Sequence, residues 1–269
     1  FIEHGREETA ARLLMQHLTN KNFSALMMAM HDEMPPQQIE LFEAMVREHA
    51  TGRPVQYITG VEEFYGRPFF VDESVLIPRP ETEELIVGAI ARMKKLFNTD
   101  ALRVADIGTG SGAIAITMKL EQPALDVVAT DLSESALVTA QKNAAALEAD
   151  IAFRLGDLTA PLAGQKFDVI LSNPPYIAYD DMETMSDVVT EHEPHSALFA
   201  DENGLILYRK LAEQVGAIIH DTALIGVEIG YTQGEHVSAF FRDHFPNAHV
   251  EVVQDINGKD RIVFCEITP

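Results

Sequence analysis

The chain carries a single cysteine in 269 residues, Cys265. One thiol excludes an internal disulfide and any multi-cysteine metal site. It lies in the apolar run Ile262-Val263-Phe264-Cys265, which marks it as a small core residue rather than a nucleophile. Long apolar runs are missing too. None reaches the roughly 18 residues of a membrane-spanning helix, so no membrane association is expected. The start, Phe1-Ile2-Glu3-His4-Gly5-Arg6, is polar and carries no signal-peptide core. It also lacks an initiator Met, which implies native residues before Phe1. A reducing cytoplasm is the expected compartment. Basic residues are scarce, with 20 Lys and Arg against 42 Asp and Glu, a formal charge of −22. That deficit argues against a broad nucleic-acid backbone footprint, which needs clustered cations. It suits a small cationic ligand or a basic protein partner, and it equally serves solubility. The 10 histidines show no ligand spacing, so no metal is expected. Internal repeats and low-complexity tracts are absent as well.

What is present is a sizeable core. Hydrophobic residues make up 46% of the chain, enough for one medium domain and one small one. Residues 1–50 read as helical: Ala10, Ala11, Leu13, Leu14 and Leu18 recur at helical spacing, as do Ile39, Leu41, Phe42, Met45 and Val46. Pro35-Pro36 suits the start of the second set. This region is either a plain extension or a platform for a large substrate. Residues 51–76 read as a linker hairpin, with short runs at Val55–Ile58 and Phe69–Val71 and a turn at Tyr65-Gly66-Arg67. Residues 77–269 alternate strands and helices. A helix is predicted over 81–97, then strands at 103–107, 126–131, 151–155 and 167–171, with helices at 112–120 and 133–147 between them. Helix 204–219, strand 223–229, helix 233–245 and strands 249–253 and 261–267 complete the chain. The repetition predicts a largely parallel, doubly wound sheet, and the closing hairpin makes one strand antiparallel.

One strand end stands out. The apolar run Phe167–Leu171 stops at Ser172-Asn173-Pro174-Pro175-Tyr176. Two prolines cannot continue a ladder, so the chain is held in a rigid extended turn at the carboxyl end of a strand. Ligands bind there in open α/β sheets. An amide, undonated carbonyls and an aromatic face suit a planar NH2 group. Asp106-Ile107-Gly108-Thr109-Gly110-Ser111-Gly112 follows the first core strand and opens a helix, where glycines permit close approach of a ligand and the helix start favours an anionic group. It is not a Walker motif, since no Gly-Lys-Ser/Thr follows, and it departs from the dinucleotide spacing. The other reading is a tight strand-helix turn. Asp131 ends the second strand about twenty residues on, where a carboxylate can accept both hydroxyls of a ribose; it can also cap the helix that begins at Leu132-Ser133. Asp157, in Gly156-Asp157-Leu158, ends the third strand and is placed to meet an adenine ring, with Leu158 packing on its face.

Together these features resemble the class I methyltransferases that use S-adenosylmethionine. The resemblance covers about residues 77–268. It implies a Rossmann-like, mostly parallel seven-stranded sheet with an antiparallel last strand. It also implies a cofactor site built from Asp106, Gly108, Thr109, Gly110, Ser111, Gly112, Asp131, Leu132, Asp157, Leu158 and Asn173. Within that class, Asn173-Pro174-Pro175-Tyr176 looks like the signature for methyl transfer to an exocyclic or amide nitrogen, which makes these four the catalytic candidates. The Asn173 side-chain oxygen and the Pro174 carbonyl would orient the NH2 group and stabilise its developing positive charge, and Tyr176 would stack on it.

The same tetrapeptide serves adenine-N6 and cytosine-N4 methylation of DNA and glutamine-N5 methylation of protein, so other motifs must decide. Gly52-x-Pro54-x-x-Tyr57-Ile58-x-Gly60, Phe64-Tyr65-Gly66 and Val75-Leu76-Ile77-Pro78-Arg79-Pro80-Glu81-Thr82-Glu83 are similar to the release factor glutamine methyltransferases. Ala197-Leu198-Phe199-Ala200, Gly204-Leu205, Glu228-Ile229-Gly230 and Asp260-Arg261 match later blocks of that family. The resemblance implies methylation of the glutamine in the Gly-Gly-Gln (GGQ) motif of peptide chain release factors. The helical region would help to dock this partner, and Arg79 and Glu81 would shape the pocket entrance or simply open a helix. A monomer without nucleic-acid specificity is expected. The alternative, a DNA amino-methyltransferase, needs a basic target-recognition region that this chain lacks. The polar, aperiodic stretch 179–195 is expected to be a lid, with His192 and His195 on its surface.

Overall fold

A computed structural model describes residues 9–269. The first residues of the predicted helical region, 1–8, lie outside the described residues. Helices α1 (Thr9–Thr19), α2 (Phe23–Met28) and α3 (Pro36–Ala50) follow as the periodicity predicts. The Asn22 side chain caps α2 by accepting from the Ala25 amide, and Pro36 opens α3, where a missing N–H costs nothing.

The next segment departs from expectation. Val55–Ile58 was read as part of the hairpin, but Val55–Thr59 is a short helix, α4. Pro54 fixes its entry, and Gly60 ends it in the left-handed region at φ 73°, donating to the Gln56 carbonyl at 2.7 Å. The helix puts Val55 and Ile58 against Ala10, Leu14, Phe42, Met45 and Val46 in a small helical core. The hairpin proper is β1 (Val61–Phe64) with β2 (Arg67–Phe70). Tyr65 and Gly66, at φ 52° and 69°, form a two-residue turn whose twist matches the strands.

Beyond it come α5 (Pro80–Leu96), β3 (Arg103–Ile107), α6 (Ala113–Glu121), β4 (Asp126–Asp131), α7 (Glu134–Ala146), β5 (Ala152–Leu155) and β6 (Phe167–Ser172). The Ser133 side chain caps α7, accepting from the Ala136 amide at 3.2 Å. The hairpin is tied down by Asn143 of α7, which accepts from the Phe70 amide at 2.6 Å and donates to the Phe70 and Ser111 carbonyls, both at 2.9 Å. The predicted lid is more regular than its sequence: after β7 (Ile177–Ala178) it holds a 3-10 turn at Tyr179–Thr184 and α8 (Asp187–His192). Ser186 caps α8 by accepting from the Val188 amide, a local signal that a search for apolar period passes over. β8 (Phe199–Ala200) then pairs with β7.

The helix expected over 204–219 is shorter. A helical turn, α9 (Asp201–Gly204), contains Glu202 and Asn203 in left-handed conformation, and α10 (Ile206–Val215) follows. Strand β9 (Ile219–Glu228) starts before Ala223 because Ile219 already pairs with Phe167 across a register shift. Helix α11 (Gly234–His244) and strands β10 (His249–Gln254) and β11 (Asp260–Ile267) finish the chain. The sheet order is β10-β11-β9-β6-β3-β4-β5. β11 runs antiparallel to both neighbours, and the four joins among β9, β6, β3, β4 and β5 are parallel. Both faces are covered. Val104, Val169 and Leu171 pack with Leu85, Ile86, Ile114 and Ile116 on one side, while Ala105, Ile107 and Ile170 pack with Tyr208, Leu211, Val237 and Phe241 on the other. This alternation is why the central strands read as continuous apolar runs. Cys265 is buried in the second layer, as its apolar setting predicts, and burial pushes its thiol up to about 12. No helix among the described residues is long and apolar enough to cross a membrane.

Candidate active site

Sheet register assembles the site. Ser172 at the end of β6 is paired with Ile107 of β3 on one side and Val227 of β9 on the other, and Ile107 is paired with Thr130 of β4. Asn173 and Gly108 follow the last paired residues of β6 and β3, while Glu228 and Asp131 are themselves the last paired residues of β9 and β4, opposite Ile262 and Leu155. The carboxyl edge therefore carries Glu228, Asn173, Gly108 and Asp131 side by side, from sequence positions far apart. The Ser172 hydroxyl donates to the Ile107 carbonyl at 2.6 Å and fixes the two central strand ends to each other.

Gly108, Gly110 and Gly112 all have positive φ, 75°, 55° and 85°. A Cβ at Gly108 or Gly110 would meet nothing within 4 Å, so this face of the loop is open for a ligand. The Gly108 and Thr109 amides both donate to the Thr130 carbonyl at 2.9 Å. Asp131 accepts from the Gly110 amide through Oδ2 and from the Ser133 amide through Oδ1, each at 2.8 Å. Asp131 thus holds the amide of the helix-capping Ser133, and its oxygens keep lone pairs for a further donor.

A cavity of about 400 Å³ opens over this edge. Gly108, Thr109, Gly110, Ser111, Asp131, Leu132, Asp157, Leu158, Asn173, Pro174 and Pro175 line it. Two predicted cofactor residues do not. A Cβ on Gly112 would lie 2.8 Å from Ile116 and 3.3 Å from Ala140, so that glycine serves the packing of α6 on α7. Asp106 is fully buried beneath the loop, where one oxygen, Oδ2, accepts from the Thr109 hydroxyl at 2.6 Å and the Ala115 amide at 3.1 Å. Its other oxygen has no hydrogen-bond partner among the described residues. Burial pushes the Asp106 carboxyl up to about 7, against those two hydrogen bonds.

A second cavity of about 210 Å³ adjoins the first, and Leu76, Arg79, Asn173, Pro174 and Ala197 border both. Tyr176 lines this second cavity together with Ile177, Met185, Val189 and Glu228. Burial pushes the Tyr176 phenol up to about 12, with the Glu228 charge adding to it. Arg79 is ion-paired with the buried Glu193, which also accepts from the Ile77 amide at 3.3 Å, so the stretch after α8 is tied to the start of α5. His195 is exposed, with its Nε2 hydrogen-bonded to the Thr190 carbonyl at 2.7 Å, and packs edge-on to Phe199.

Several residues of this site were passed over in the sequence. Thr82, in the first turn of α5, sits between Asn173 and Glu228: the Asn173 NH2 donates to the Thr82 hydroxyl at 3.2 Å, and that hydroxyl donates to Glu228 at 2.6 Å. Gln233 donates to the Tyr176 carbonyl at 2.8 Å and accepts from the Gly230 amide at 2.9 Å, clamping the far end of the proline turn. Glu228 had a sequence signal, an acid closing an otherwise apolar strand. Thr82 lay inside the block Val75–Glu83 without a role assigned to it, and Gln233 had no signal.

The geometry fits S-adenosylmethionine. An open glycine cradle, a strand-end carboxylate with spare lone pairs and the 70% exposed Leu132 face one cavity of suitable size. A second, smaller pocket reaches the same Asn173. A Rossmann-like sheet with this double cavity at its carboxyl edge defines a class I S-adenosylmethionine-dependent methyltransferase. Sequence relatives agree. Residues 84–204 match the family described as methyltransferase small domain, and residues 1–60 the PrmC N-terminal domain. The release factor glutamine methyltransferase of Bacillus cereus is 48% identical over 267 residues, 98% of this chain and 94% of its own length. That of Bacillus subtilis is 43% identical over 264 residues, 97% of this chain and 92% of its own. A solved methyltransferase from Pyrococcus furiosus shares the fold, with a TM-score of 0.56 at 14% identity over 84% of this chain and 98% of its own. The chain belongs to the release factor glutamine methyltransferase family.

Proposed function

We propose that this chain transfers a methyl group to the side-chain amide nitrogen (N5) of the glutamine in the Gly-Gly-Gln motif of release factors. The observation that carries this reading is the shared wall of Asn173 and Pro174 between the two cavities. One cavity has the size and lining for the methyl donor, and the other suits a side chain reaching in from a protein. S-adenosylmethionine, when bound, supplies an electrophilic methyl group on a sulfonium.

In this reading the chain's own residues do three things. Asp131 holds the ribose hydroxyls, while Asp157 and Leu158 receive the adenine; Gly108 to Ser111 let the backbone close on the rest of the donor. Asn173 Oδ1 and the Pro174 carbonyl accept from the two N–H bonds of the substrate amide. They turn its lone pair toward the methyl carbon and stabilise the positive charge that appears on nitrogen. Pro174 and Pro175 make the turn too stiff to relax away, and Tyr176 closes on the flat amide. Bound there, the donor's sulfonium would give up its methyl group and keep the bonding electrons on sulfur, while Asn173 and Pro174 would hold the amide nitrogen until its extra proton passes to solvent. Alignment supplies much of the rate, because an amide nitrogen is a poor nucleophile and the electrophile needs no further activation.

Residues 1–50 act as a docking platform for the release factor, residues 51–76 connect it, and residues 77–269 carry out the transfer. The substrate is protein rather than nucleic acid, the chain acts as a monomer in the cytoplasm, and every group in the site comes from this one chain. Incubation with labelled S-adenosylmethionine, release factor and unmethylated DNA tests the reading. Label is expected on the release factor, mapped by mass spectrometry to the Gly-Gly-Gln glutamine. Label on DNA and none on the release factor would refute it.

A further inference from the structure

Asn173 can serve its role in only one of two orientations. Rotating its side-chain amide by half a turn exchanges oxygen for NH2, and an NH2 aimed at the acceptor nitrogen repels what the oxygen would hold. Something must choose between them. We infer that Thr82 and Glu228 form a positioning relay that fixes the Asn173 amide with its oxygen toward the acceptor. The inference rests on the reading of the second cavity as the pocket for a substrate amide.

The argument is a count of protons. The Thr82 hydroxyl has one hydrogen, and at 2.6 Å from Glu228 Oε2 it gives that hydrogen to the carboxylate. Its oxygen is then only an acceptor on the side facing Asn173. The group it accepts from, at 3.2 Å, is the Asn173 NH2. With the NH2 held there, Oδ1 points the other way. A carboxylate at Glu228 thus sets the polarity of the whole chain of bonds. Neither residue is a surface accident: Thr82 is 4% and Glu228 1% exposed. Thr82 enters from the first turn of α5 and Glu228 from the end of β9, so two separate elements converge on one asparagine.

Reversal of the relay is chemically simple. A protonated Glu228, or a glutamine in its place, can donate to the Thr82 oxygen. The hydroxyl hydrogen is then free to donate to Asn173 Oδ1, which turns the amide to the unproductive orientation. The protonated form is accessible. Burial pushes the Glu228 carboxyl up to about 7, with Glu81 adding to the rise, while the bonds from Thr82 and Asn173 and the charge of Arg261 oppose it. Tyr176 and Tyr208 also face it, both with phenols raised by burial, and the Tyr208 hydroxyl donates to the Glu228 carbonyl at 2.7 Å. Turnover should therefore fall as the pH drops through about 7, because the carboxylate is the productive form.

The test measures turnover on release factor, donor affinity and the pH profile in four proteins: wild type, Thr82→Val, Thr82→Ser and Glu228→Gln. Valine keeps the shape of threonine and removes the hydroxyl. It is expected to lower kcat about 10- to 100-fold, below the ~10²–10³ loss for a group that touches the reacting atoms. The donor's Kd should stay near the wild-type value. Serine restores the hydroxyl and should recover most of the turnover. Glu228→Gln should be slow like the valine variant and should lose the acid limb of the profile. Wild-type turnover in Thr82→Val, a serine variant as slow as the valine one, or an acid limb that survives Glu228→Gln would each overturn the relay. A parallel loss of donor binding and turnover would overturn it as well, since that marks general damage to the site. If the wild type itself fails to methylate the glutamine, the functional reading falls; if it succeeds and Thr82→Val matches it, only the relay falls.

Discussion

The Asn173 NH2 is committed to Thr82 at 3.2 Å, and in the proposed reaction its oxygen is the end that meets the acceptor. Truncation to alanine removes the acceptor's orientation and leaves the donor cavity, to which Asn173 contributes one wall among many, nearly intact. Asn173→Ala is thus expected to reduce kcat by about 10²–10³, the scale of losing one preorganised contact to developing charge. Donor binding measured by calorimetry should change little; unchanged turnover would remove Asn173 from the reaction. Asp131 divides the effects the other way. Its carboxylate holds the Gly110 and Ser133 amides at 2.8 Å and faces the donor cavity. Asp131→Ala should weaken donor binding by about 10- to 100-fold, the worth of one to two charge-assisted hydrogen bonds. At saturating donor most of kcat should return. A loss in kcat without a change in donor affinity would contradict its assignment to the ribose.

The proline turn is gripped by other elements, and Gly204 at the end of α9 shows how tightly. Its φ is 80°, and a Cβ there would overlap the Tyr176 carbonyl oxygen and lie 2.8 Å from Gln233 Nε2. Gly204→Ala is expected to cost about 1–3 kcal/mol of stability, from strain plus the displaced turn. It should also slow methylation more than it weakens donor binding, as read by denaturant melts beside kinetics. A variant with both wild-type stability and wild-type turnover would mean that the turn has slack. Legibility in the sequence also divides at this scale. The β-α repeat, the cap at Ser133, the helix start at Pro36, the strand end at Asp131 and the break after β6 at Asn173 are local signals, so they were readable. Val55–Thr59 misled because its pattern is too short to distinguish helix from strand; only packing on α1 and α3 settles it. The packing role of Gly112 was not readable because a motif gives spacing and not direction: its missing Cβ makes room for Ile116 and Ala140. The roles of Thr82 and Gln233 were not readable because their partners lie 91 and 57 residues away along the chain.

At the scale of the whole molecule, activity and stability pull on the same proton. Asp106 and Glu228 are both fully buried acids, pushed up to about 7 from ordinary values of 3.8 and 4.5. In the unfolded chain they lose their protons near the ordinary values. Between about 4.5 and about 7 the native state therefore binds more protons than the unfolded state, and the linkage slope makes stability fall as pH rises through this window. The formal charge of −22 acts in the same direction, because acidification relieves the self-repulsion of the compact state. The melting temperature should accordingly rise as pH is lowered from about 8 to about 5 at constant ionic strength. Asp255, whose carboxyl is held below its ordinary value by the Lys259 amide first and then by Asn257 and Arg261, loses that support only at lower pH. Turnover should run the opposite way over the same window, since the proton that stabilises buried Glu228 reverses the relay to Asn173. Glu228→Gln separates the two effects: its melting temperature should depend less steeply on pH, and its slow turnover should lose the dependence near 7. A melting temperature that falls on acidification from pH 8 to 5 in the wild type, or keeps its full slope in Glu228→Gln, would show that these carboxyls do not carry the linkage.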